Sequence, residues 1–219
     1  MEMVLMGKFM DSIKKLWKFE YRVPEELVNI NETMLIHISD TPSEIYHDII
    51  NTIKRLEPDY LIHTGDIADE VKIGEESEQS IHYEKLVEPF LKQLTELVPN
   101  IYISLGNHDC LRTIKRVINS NQLSLEIISS SDEVFIEDKS FVCSHYLEDV
   151  LEAKIKSNFY LYGHNYDFPV DTDEEKQGVF LNGVKAINII LINSNRIYHL
   201  PYPKGTDYHR KYSRPMKLL

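Results

Sequence analysis

The chain has 219 residues, enough for one globular domain with its own core, and apolar residues at 42% with charged residues at 27% are ordinary for a protein that lives in water. No apolar run approaches the ~20 residues that cross a bilayer, which argues against a membrane span. The formal charge of -11 opposes non-specific binding to nucleic acid, because a polyanion is gripped by a basic face.

Residues 1–31 read as an N-terminal extension. Val4, Leu5, Phe9, Ile13, Leu16 and Trp17 recur there at roughly helical spacing, with lysines between them, as in an amphipathic helix. No basic segment followed by an apolar stretch and a small-residue cleavage site is present, so a secretory signal is not expected. Cys110 and Cys143 read as free thiols in a reducing compartment, and the expected location is cytoplasmic.

From residue 32 short apolar runs alternate with helical patterns. A strand is predicted over 34–39. Thr41, Pro42 and Glu44 then occupy the N-cap, N1 and N3 positions of a helix whose apolar face is Ile45, Ile49, Ile53 and Leu56. A strand over 60–64, an acidic loop over 71–80 and a helix over 81–98 follow, with Pro89 as an expected kink or break. Further strands are predicted over 101–105, 134–136, 141–144, 159–162, 178–181, 186–192 and 196–200, and helices over 111–118 and 147–156. The alternation implies a layered α/β domain, sheet flanked by helices, over 32–203. Residues 204–219 carry Lys204, Arg210, Lys211, Arg214 and Lys217 and read as a basic, solvated tail.

Ligands in open α/β sheets gather beyond the carboxyl ends of strands. Five such ends here carry an Asp, Asn or His: Asp40; Gly65-Asp66-Ile67-Ala68-Asp69; Gly106-Asn107-His108-Asp109; His145; and Gly163-His164-Asn165-Tyr166. Carboxylate, amide oxygen and imidazole are the donors that divalent metals take, and a carboxylate can bridge two ions. Gly65, Gly106 and Gly163 each precede a candidate ligand directly, where tight turns and close backbone approach favour a residue without Cβ.

In this order the residues resemble the calcineurin-like metallophosphoesterases, whose pattern is Asp-x-His, Gly-Asp-x-x-Asp, Gly-Asn-His-Asp/Glu, a lone His and Gly-His-x-His. The resemblance implies a β-sandwich flanked by helices and hydrolysis of a phosphate monoester or diester by metal-activated water. One or two ions of manganese, iron, zinc or nickel are implied as cofactors, and a phosphate ester as the partner. It implies Asp66 as bridging carboxylate, with Asn107, His145 and His164 completing the second metal site. Asp40 belongs to the first site, whose two histidines are replaced here by Pro42 and Tyr166. His108 is implied as the catalytic histidine that contacts phosphate and protonates the leaving group, with Asp109 orienting it.

Three residues are candidates to rebuild the first site: Tyr166 as a phenolate ligand or structural phenol, Asp167 directly or through water, and His47. His47 reads first as a solvated surface residue and only second as a ligand. His37 and His63 lie inside strands and read as core residues. Loss of two histidines also leaves open a weakened or inactive scaffold on the same fold. Nucleic acid is not favoured as substrate, and oligomeric state is not legible.

Overall fold

The computed structural model describes residues 23–71, 78–129, 132–166 and 178–203. Residues 1–22 of the expected N-terminal helix and the tail 204–219 lie outside them, as does Asp167. In chain order the elements are β1 (Met34–Ile38), α1 (Tyr46–Leu56), β2 (Tyr60–His63), α2 (Glu78–Leu97), β3 (Asn100–Ser104), α3 (Leu111–Asn121), β4 (Glu126–Ile128), β5 (Glu133–Ile136), β6 (Lys139–Cys143), α4 (Leu147–Glu152), β7 (Phe159–Tyr162), β8 (Val179–Asn182), β9 (Ile187–Leu191) and β10 (Arg196–Leu200). Among the described residues no helix is long and apolar enough to cross a membrane.

The strands form two mixed sheets. The larger has the order β10-β9-β1-β2-β3-β4, with β1 to β4 parallel and β9 antiparallel to β1; the smaller has the order β5-β6-β7-β8, with β6, β7 and β8 parallel. Side-chain alternation along each strand separates the core into layers. Ile36 and Ile38 of β1 face α1, α2 and α3, whereas Leu35 joins Ile62, Phe141, Phe159, Leu161 and Ile190 between the sheets. On the far side of the smaller sheet Val142, Tyr160 and Tyr162 pack on Val150 of α4. The predicted layered α/β sandwich is the observed fold. Val23 and Leu27 are buried in the helix-side core, so the extension is packed from Val23 onward.

Local expectations fail where distant contacts win. Thr41 does not cap a helix: its hydroxyl donates to the Ile67 carbonyl at 2.7 Å and meets His63 Nε2 at 2.9 Å. The chain passes through a single 3₁₀ turn, Ser43–Ile45, before α1 begins. The amide of Ser43 is satisfied instead by the Glu70 carboxylate, at 3.0 and 3.1 Å. Pro89 does not break α2, which runs through it. Val87, Phe90, Leu91 and Leu94 are all buried, and Phe90 stacks on Tyr46 with centroids 3.8 Å apart, so packing outweighs the lost N–H bond.

Candidate metal centre

The carboxyl ends of β1, β2 and β3 in one sheet and of β6 and β7 in the other open at the same end of the sandwich, which brings the five polar strand ends together. His145, buried after β6, is the hub. Its Nε2 lies 3.1 Å from Asn107 Oδ1, 3.1 Å from His164 Nδ1 and 3.4 Å from Asp66 Oδ2. Its Nδ1–H donates to the Thr64 carbonyl at 2.8 Å, so a neutral ring presents a lone pair at Nε2. Carboxylate, amide oxygen and imidazole nitrogen therefore crowd one point, and such a set is reconciled only by a proton or a cation. Without a cation the proton wins: burial pulls the His145 pKa down, but the Asp66 hydrogen bond and the charges of Asp40 and Asp66 carry it up to about 9. This donor set fits a divalent metal, as the second-site expectation requires.

The backbone is bent to make this meeting. Asp40, Asp66 and His164 have φ of 51°, 56° and 61°, a region that non-glycine residues enter at a cost and that clusters at functional sites. Gly65 has φ 96°, and a Cβ there would meet Gly106 N at 2.5 Å and His145 Nδ1 at 2.7 Å. A Cβ on Gly106 would strike the Asp66 carboxylate and lie 2.6 Å from its backbone nitrogen. Gly106→Ala is accordingly expected to cost about 1–3 kcal/mol and to lower the melting temperature by ~3–10 °C. An unchanged thermal scan would count against this reading of the turn.

His108 departs from expectation in its partner. Its Nδ1 lies 3.1 Å from Asp69 Oδ1 and 3.3 Å from Asp66 Oδ2, and its amide donates to Asp66 Oδ1 at 2.9 Å. Asp109 does not orient it. That carboxylate accepts the amides of Asp66, Ile67 and Gly106 at 2.7, 2.9 and 2.8 Å and the Tyr83 hydroxyl at 2.7 Å. It is a brace that ties the β2 and β3 loops to α2, and burial with the nearby Asp66 charge raises its pKa. Asp69 stood in the Gly-Asp-x-x-Asp string without a role assigned to it; Tyr83 carried no local signal.

The first-site half is different. Asp40 Oδ2 accepts the Ser39 hydroxyl at 2.5 Å and the His164 amide at 3.1 Å. Burial pushes its carboxyl up to about 7 against the pull of His145, with Asp66 adding to the rise. Pro42 offers no donor, and Tyr166 is half-buried with Lys185 Nζ 5.9 Å from its ring centroid. His47 is exposed and bonded to Asn51 at 3.1 Å on the outer face of α1, the surface position that was its alternative reading. His37 and His63 are buried, as their strand positions imply. Cys110 and Cys143 are free thiols, the second fully buried.

No curated protein matches the chain at significant similarity. Among solved structures, an archaeal phosphodiesterase aligns with TM-score 0.57 at 19% identity, covering 77% of this chain and 99% of its own. Yfce, a phosphoesterase from E. coli, aligns with TM-score 0.48 at 16% identity over 75% of this chain and 96% of its own. A metallophosphoesterase from Sphaerobacter thermophilus gives 0.43 at 12% identity over 79% and 90%. The first of these carries the fold comparison. The family implies divalent metal ions and phosphate-ester substrates, in keeping with the Asp66, His145 and His164 grouping. With the model of the calcineurin-like phosphoesterases matching residues 33–216, nearly the whole folded body, the chain belongs to that family.

Proposed function

We propose that the protein hydrolyses phosphate esters with one metal ion held by Asp66, Asn107, His145 and His164, the first-metal half being altered at Pro42 and Tyr166. The convergence of three donor atoms on His145 Nε2 within 3.4 Å carries this reading. A metal in that position supplies Lewis acidity toward the phosphoryl group and lowers the pKa of water. The chain supplies the rest. Thr64 fixes the His145 tautomer through its carbonyl, and Asn107 and His164 close the donor set. His108 is the general acid: with Nδ1 turned to Asp69 at 3.1 Å, proton transfer to the departing oxygen falls to Nε2. Asp69 is buried and engages Nδ1, which fixes the orientation of the ring and leaves Nε2 as the nitrogen that gives up its proton. Asp109 keeps the loop that bears His108 in place.

Phosphodiesters are the substrates to test first, since the archaeal neighbour that shares the fold is described as a phosphodiesterase. With manganese-loaded full-length protein, bis(p-nitrophenyl) phosphate is expected to turn over, and His108→Ala to lower kcat by about 10²–10⁴-fold at unchanged metal content. Asp69→Asn should fall between the two. Wild-type turnover in His108→Ala would overturn the assignment. Tight metal binding with no turnover of mono- or diesters would favour a scaffold.

A further inference from the structure

The connection between β8 and β9 runs past the altered half of the site and is held there by buried hydrogen bonds. Asn182 is almost fully buried; its Nδ2 donates to the Asn165 carbonyl at 2.7 Å and its Oδ1 accepts the Val184 amide at 2.9 Å. The Tyr202 hydroxyl donates to the Gly183 carbonyl at 2.8 Å and accepts the Ser39 amide at 3.2 Å. Gly183 lies so close to β1 that a Cβ there would meet both Ser39 Cβ and His37 Nε2 at 2.8 Å. The loop is thus clamped between the end of β1, which carries Asp40, and the loop that carries His164 and Tyr166.

Lys185 is the charged residue of this connection. Its Nζ stands 5.9 Å from the centroid of Tyr166, the residue that replaces a first-site histidine. Among the described residues it has no carboxylate partner, although the chain carries 35 acidic residues against 24 lysines and arginines. An aromatic face can hold an ammonium without neutralising it, whereas a carboxylate would cancel its charge. Asp40, Asp66 and Asp69 are each buried at this end of the sandwich, and an anionic ester approaching them must be met by positive charge. One metal meets it on the His145 side. On the other side Asp40 remains, Pro42 brings no side-chain ligand atom and Tyr166 brings a phenol, and among the described residues the cation against that phenol is Lys185. Lysine suits the task, being a compact point charge on a flexible stem that binds phosphate oxygens directly.

We propose that Lys185, seated over Tyr166, binds the substrate's phosphoryl oxygens at the altered half of the site and supplies there the positive charge that a second metal ion would bring. This rests on the phosphate-ester reading above and extends it: the substrate is clamped between one metal and one ammonium.

The test uses full-length protein with manganese, Lys185→Met as a variant of similar length without charge, and Lys185→Arg. Metal stoichiometry is read by elemental analysis, inorganic phosphate affinity by calorimetry, and KM and kcat with bis(p-nitrophenyl) phosphate. The expected result is one manganese per chain, unchanged manganese affinity in both variants, and phosphate Kd and KM each about tenfold higher in Lys185→Met. Lys185→Arg should recover most of the loss. Phosphate binding by Lys185→Met equal to wild type, or two tightly bound ions in the wild type, would overturn the proposal. A protein that hydrolyses nothing yet binds phosphate in a Lys185-dependent manner would support the clamp while removing the hydrolase assignment.

Discussion

Asp66→Asn is expected to strip the protein of metal during gel filtration and to lower kcat/KM by about 10³-fold, or ~4 kcal/mol of transition-state stabilisation. Asp66 is the one carboxylate shared by both groupings of donor atoms, Asp66 with His145 and His164 and Asp66 with Asp69 and His108. Burial opposes its charge, but the hydrogen bond and charge of His145, with His108 behind them, hold its pKa below the usual carboxylate range. An asparagine keeps an oxygen for the His108 amide, which donates at 2.9 Å to Oδ1, so the loop can still form. It loses the anion, and its NH2 group would point at His145 Nε2 and His108 Nδ1, which lie 3.4 and 3.3 Å from Oδ2. Elemental analysis beside a steady-state assay decides the matter. Retention of both metal and activity would mean that Asp66 does not hold the ion.

The second large effect is on stability. In the presence of a chelator the protein should be most stable near pH 6.5 and weaken as the pH falls toward 4. Burial lowers the pKa of His37 to about 3, with the neighbouring His63 adding to the fall, and burial lowers His63 to about 3 as well, against the pull of Asp66. The hydrogen bonds agree with neutral rings. The Asn188 amide meets His37 Nδ1 at 3.0 Å while Nε2 meets Thr64 Oγ1 at 3.0 Å, and the Gly65 N–H donates to His63 Nδ1 at 3.1 Å. A proton added to either Nδ1 would face an N–H group. Above about pH 6.5 both histidines are neutral in the folded and unfolded chains and contribute no pH dependence. Below it the unfolded chain takes up two protons that the folded chain refuses until about pH 3, so stability falls with falling pH.

Asp40 acts in the opposite sense. Its folded pKa of about 7 stands above the unfolded value, so the folded chain keeps a proton that the unfolded chain has released. That offsets one of the two histidine protons between about pH 4 and 6.5. Asp109, whose pKa burial also raises, offsets part of the other toward acid, while His199, lowered by burial, adds to the histidine side, so the net slope stays below about 1.4 kcal/mol per pH unit. Above pH 6.5 the slope reverses: His145, with its folded pKa of about 9, and Asp40 both contribute stability that fades as the pH rises. Urea melts in EDTA at half-unit intervals from pH 4.5 to 8.5 measure the curve. A profile that rises toward acid would contradict neutral burial of His37 and His63.

Much of this centre was legible beforehand because metal chemistry restricts residue types and the sheet restricts their placement. Asp40, Asp66, Asn107, His145 and His164 stand at strand ends, three of them after glycines, and each alternation of apolar residues marked the strand before it. What was not legible depends on contacts between residues far apart in the chain. Asp69 pairs with His108 across 39 residues, while Asp109, adjacent to that histidine, reaches back 43 residues to the Asp66 amide. Adjacency suggested one partner; the turn after β3 points the two side chains in different directions. Glu70 takes the helix-start amide of Ser43 for the same reason, since the Thr41 hydroxyl that reaches the Ile67 carbonyl no longer serves its own helix.

By itself the sequence determined the layered α/β class, the family resemblance and a set of candidate donor residues, because periodicity and residue chemistry are local properties of the chain. Only the tertiary structure decided which carboxylate lies against His108, that Asp40, Asp66 and His164 adopt left-handed backbone, and that Lys185 stands over Tyr166. Those depend on how two sheets set their strand ends against one another, and that geometry is fixed by packing between residues tens to more than a hundred positions apart.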